Sequence, residues 1–143
     1  MMKKIFSVFI FLILFSCSED DTENLKELPL IVQNLSGTWQ LNGSKISSGG
    51  PLPDKFTTIE NGEIFLFELD MTYELRNGLN QNLISAGEFT ITNNDLVLTP
   101  NQGDMIEPYS FYVDVINDSE IIWSPAGSVI CIEGCLYRYI KLE

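Results

Sequence analysis

The sequence predicts an all-β fold, an eight-stranded antiparallel up-and-down barrel. From Gly37 onward the chain falls into eight short apolar runs, several alternating with a period of two, which is the pattern of strands with one buried face. Helical periodicity is almost absent there, leaving a closed barrel or a sandwich. The connections then favour the barrel, because tight turns alternate with long loops along the chain.

Taken in order, the strands are expected at residues 37–42, 63–69, 72–76, 86–92, 95–99, 109–116, 120–123 and 136–142. In the fourth, Phe89 and Ile91 alternate with Glu88 and Thr90. In the sixth, Phe111, Val113 and Val115 alternate with Tyr112 and Asp114. Strands two and three meet at Asp70-Met71, four and five at Asn93-Asn94, and six and seven at Asn117-Asp118-Ser119. Asn and Asp tolerate the left-handed backbone of tight hairpins. The other connections, 43–62, 77–85, 100–108 and 124–135, hold most of the Gly and Pro. One end of the barrel is therefore expected to be closed by tight turns and the other rimmed by long loops, with the 43–62 loop as a lid. Eight strands enclose packed side chains or one small ligand.

Before the barrel comes an address. Lys3 and Lys4 precede an apolar run from Ile5 to Phe15. That run is too short to span a bilayer, which takes about 20 residues, and reads as the apolar part of a secretory signal. Leu14-Phe15-Ser16-Cys17 resembles the lipobox of bacterial lipoproteins, with Phe15 bulkier than usual at its position. The resemblance implies cleavage after Ser16 and lipid on the Cys17 thiol. Ser18-Glu19-Asp20-Asp21 resembles the export signal that one group of Gram-negative bacteria uses to place lipoproteins on the outer face of the outer membrane. It reads equally as a solvated acidic linker. The expected organisation is a signal peptide at 1–16, a lipidated Cys17 with a tether to residue 35, and a barrel domain at 36–143. Leu25, Leu28, Ile31, Val32 and Leu35 have roughly helical spacing, but Pro29 limits this stretch to a short helical turn.

Composition narrows the chemistry. The formal charge is −12, from 8 basic and 20 acidic residues. Such an acidic surface repels phosphate backbones, which excludes nucleic acid as the expected partner. The sequence has no histidine. That removes the commonest general base, the Ser-His and Cys-His pairs and the usual zinc ligand. No enzyme, cofactor or metal site is expected. Asp54, Glu60, Asp104 and Glu107 lie in the long loops without the spacing of a calcium-binding loop. They read as solvated charges. Cys131 and Cys135 are expected to pair as a disulfide in an exported protein; the Cys-x-x-Cys spacing of redox motifs is absent.

Gly37-Thr38-Trp39 at the start of the first strand and Arg138 in the last resemble the lipocalin-like proteins, whose Gly-x-Trp opens the barrel and whose last strand carries an Arg that packs over the Trp. The resemblance spans residues 35–143 and implies a structural pair, Trp39 and Arg138, plugging the closed end. It also puts the tether at that end and turns the mouth away from the membrane. Phe65, Phe67, Tyr73, Phe89, Phe111 and Trp123 are the ligand-lining candidates, and the same rings read as plain barrel core. Two functions follow for a monomeric, outer-membrane lipoprotein. One is a binding protein holding a small apolar ligand, glycan or peptide at its mouth. The other is a surface interaction or inhibitor protein with a filled barrel that engages another protein through its loops. A void of a few hundred Å³ inside the barrel favours the first.

Overall fold

A computed structural model describes residues 28–101, 107–126 and 134–143. One short helix, α1 (Val32–Leu35), precedes nine strands: β1 (Gly37–Ile46), β2 (Thr57–Thr58), β3 (Ile64–Phe67), β4 (Thr72–Arg76), β5 (Leu83–Thr92), β6 (Asp95–Pro100), β7 (Tyr109–Asn117), β8 (Glu120–Ala126) and β9 (Cys135–Leu142). Each of β3 to β9 pairs antiparallel with its neighbour, β3 pairs with the first half of β1, and β9 returns to β1. The result is the closed eight-stranded antiparallel barrel that the alternating runs and turn spacing predict. β2 is an addition. It pairs with Gly43 and Ser44, where β1 has run past β3. The loop expected to be a lid is thus tied along β1 by residues 57–59, with Ile59 N–H donating to the Asn42 carbonyl at 2.9 Å.

The tight turns form as their residues dictate. Asp70 Oδ1 accepts from the Thr72 backbone and hydroxyl at 3.1 and 2.7 Å; the hydroxyl bond first, then the backbone one, hold the carboxyl below its ordinary range. Asn117 Oδ1 does the same for Ser119. Asn93 takes the left-handed backbone at φ 57°. All three turns lie at one end of the barrel.

That end is plugged. Residues 28–35, expected as tether, belong to the folded domain. Leu28 N–H donates to the Val115 carbonyl at 2.8 Å, and Leu30 and Leu35 are buried in the core. The short helix agrees with the break expected at Pro29. Trp39 Nε1–H donates to the Leu35 carbonyl at 2.7 Å, so the indole ties the plug to β1. Above it pack Phe67, Phe89, Leu96, Val113, Val115 and Ile121, all almost fully buried.

The cation over Trp39 is not Arg138 but Lys141, whose Nζ lies 5.1 Å from the ring centroid. Register explains the difference. Trp39 pairs with Lys141, whereas Arg138 pairs with Gly43, nearer the mouth. There its Nη2 donates to Asn42 Oδ1 at 2.7 Å and its guanidinium lies 4.9 Å from the Phe56 ring. Gly37 makes the Lys141 contact feasible. Its φ is +127°, and a Cβ there would sit 2.6 Å from Lys141 Cε. At the other end Gly78 lets the 77–82 loop pack on neighbouring backbone, since a Cβ would lie 1.9 Å from the Gly62 carbonyl oxygen.

Candidate functional site

The barrel interior is solid at the plugged end and open at the other. Two clefts enter it from the mouth, of about 340 Å³ and 390 Å³. Each lies at the lower end of the roughly 300–1,000 Å³ range of small-molecule sites. They share Glu63, Phe65 and Phe111. The first extends toward β4–β7, where Tyr73, Leu75, Ser85 and Leu98 line it. The second extends toward β8, β9 and β1, where Trp123, Tyr137, Tyr139 and Leu41 line it. No residue of 47–62 is among those lining either cleft.

The walls are aromatic because period-two alternation on adjacent strands stacks inward rings at one depth. The Phe65 ring lies 4.9 Å from Trp123 and 5.8 Å from Tyr139, centroid to centroid. Trp123 lies 4.6 Å from Tyr139 and 5.1 Å from Phe111. Tilted and edge-on ring contacts of this kind add to the stability of the packed walls.

Four of the six candidate lining residues, Phe65, Tyr73, Phe111 and Trp123, border the clefts. Phe67 and Phe89 do not. Their rings meet edge to face at 5.2 Å deeper in the barrel, with 0% and 1% exposure, and they form the floor. Their strands put them closer to the tight turns, and that depth decides between lining and core. Glu63, Leu75, Leu98, Tyr137 and Tyr139 also line the clefts and are not among the sequence candidates. For the last two the signal was present: Tyr137 and Tyr139 alternate on β9, in phase with Lys141 and out of phase with Arg138.

Polar groups in the clefts are few and placed. Glu63, just before β3, is the one charged side chain lining them among the described residues. Its Oε1 accepts from the Tyr139 hydroxyl at 2.9 Å. Burial, then the neighbouring Glu63 charge, pushes the Tyr139 phenol well above its ordinary range. Tyr73 and Ser85 hydroxyls lie 3.2 Å apart. Burial raises the Tyr73 phenol, partly offset by Ser85. Trp123 Nε1–H is buried and has no hydrogen-bond partner among the described residues.

A broader groove of about 570 Å³ lies at the plugged end, between residues 29–33 and the β5–β6 turn. Among the described residues it is lined by no aromatic ring and no charged group, unlike the clefts at the mouth. Among the described residues no cluster of His, Cys, Asp or Glu can hold a metal. Asp104, Cys17 and Cys131 lie outside the described residues; Cys135 is buried at the start of β9.

An aromatic-walled, open-mouthed barrel of this kind suits a ligand carrier. Curated proteins and solved structures give no match. Residues 35–123, from the end of the plug into β8, match the family model for the lipocalin-like domain, and with the closed eight-stranded barrel this establishes that the chain belongs to that family.

Proposed function

We propose that this chain is a lipid-anchored, non-enzymatic binding protein that holds a small, mostly apolar ligand at the barrel mouth. The observation that carries the reading is the pair of clefts, apolar-walled, several hundred Å³ in size and lined by a few fixed polar groups. A barrel filled to the rim would instead favour binding through the loops alone.

The anchor rests on the sequence. Lipid on Cys17 would hold the protein on the outer membrane of a Gram-negative bacterium, and the acidic residues after it would act either as a signal for the cell surface or as a solvated linker. The chain enters the barrel at the plugged end, through Leu28 and Leu30. An anchor upstream therefore leaves the mouth facing away from the membrane, where a monomer can take ligand from outside. A Cys131–Cys135 disulfide would brace the loop before β9.

Native mass spectrometry of the protein released gently from its host tests the ligand. A retained small molecule is expected; its repeated absence would count against the reading. A Cys17→Ala protein is expected to lose incorporation of labelled fatty acid, and continued labelling would remove the anchor.

A further inference from the structure

We propose that the ligand held at the mouth carries an ammonium group, bound by Glu63 against the aromatic walls, with its apolar part in the clefts. This rests on the ligand-binding reading above and specifies its chemistry.

Glu63 lines both clefts and, among the described residues, is the only charged side chain lining either. One of its oxygens accepts the Tyr139 hydroxyl, and a carboxylate has further acceptor capacity beyond one such bond. No cation of the described residues is paired with it. Arg76 pairs with Glu74, Arg138 and Lys45 flank Phe56, and Lys141 covers Trp39 at the opposite end. Residues 102–106 and 127–133 contain no Lys or Arg, but do contain Asp104 and Glu133.

The rings around Glu63 favour the same charge. Phe65, Tyr139, Trp123 and Phe111 form one contiguous group. Aromatic faces attract a cation by their quadrupole, more so where water is excluded. An ammonium between these rings and Glu63 has both interactions at once. A carboxylate ligand meets Glu63 as a like charge and the ring faces as repulsive. The net charge of −12 adds a long-range field that draws cations and repels anions. The site therefore selects amphiphilic amines over fatty acids of the same length.

Three ligands with one chain length separate the possibilities: octyltrimethylammonium, octanol and octanoate, each titrated calorimetrically into the full-length protein. Octyltrimethylammonium is expected to bind about tenfold more tightly than octanol, and octanoate more weakly than either. In Glu63→Gln, which keeps an oxygen for Tyr139, the cation's advantage over octanol is expected to fall to about twofold or less. Equal binding of octanol or octanoate by the native protein would overturn the ammonium preference and leave the binding reading standing. No binding of any of the three would overturn both. The native selectivity decides the question even if the variant does not fold.

Discussion

Lys141 reaches across the Trp39 ring through space that a side chain at position 37 would fill. Glycine, indole and lysine thus act together at the plugged end. Lys141→Met is expected to cost about 0.5–1 kcal/mol in urea denaturation and to alter Trp39 fluorescence. Arg138→Met should leave that fluorescence unchanged, since its guanidinium contacts Asn42 and Phe56 instead. The Gly-x-Trp start is legible in the sequence, but the family resemblance points to Arg138 as its cation rather than Lys141. Alternation along β9 would have chosen Lys141, because it is in phase with Tyr137 and Tyr139. Tyr139 also gives the fold an alkaline limit. Its phenol is held protonated in the barrel by burial and by Glu63, whereas the unfolded chain loses that proton near pH ~10. The unfolded state then binds fewer protons, so stability is intact below about pH 10 and falls as the pH rises toward the folded value. Denaturation midpoints from pH 8 to 11 should fall less steeply in Tyr139→Phe than in the native protein.

At the level of elements, the plug is the part that the sequence disclosed least. Pro29 correctly limits the helix to one turn, but nothing in the spacing of Leu30 and Leu35 says that they enter a barrel formed by later residues. Leu35 is fully buried, so Leu35→Ala is expected to cost about 2–5 kcal/mol. Ile31→Ala, at an exposed position of the same segment, should change stability by less than about 0.5 kcal/mol. Chemical denaturation of both variants checks the contrast. The hairpins were legible because Asp70, Asn93 and Asn117 determine their own local geometry. The strand ends were less so. β1 continues through Gly43–Ile46 and β5 begins at Leu83, where pairing persists without an apolar alternation to announce it. β2 is two residues long and exists because β1 outruns β3.

For the whole molecule, the decisive property is that one barrel is solid at one end and hollow at the other. Apolar composition and alternation indicate which side chains face inward, but the depth of each along the axis follows from register and strand stagger. Phe67 and Phe89 consequently read like Phe65 and Phe111, although the first two form the floor and the last two the walls. Glu63 was hidden for a related reason: an acidic residue at a strand start reads as solvated until the closure of β1 on β9 places Tyr139 against it. The direct test is a fluorescence titration with the neutral probe N-phenyl-1-naphthylamine, comparing the native protein with Leu75→Trp, which places an indole in the first cleft. Saturable binding at one probe per chain, weakened at least about tenfold in a folded Leu75→Trp protein, is the predicted result. Native protein that shows no saturable binding, or binding equally strong in the folded variant, would contradict a ligand site at the mouth.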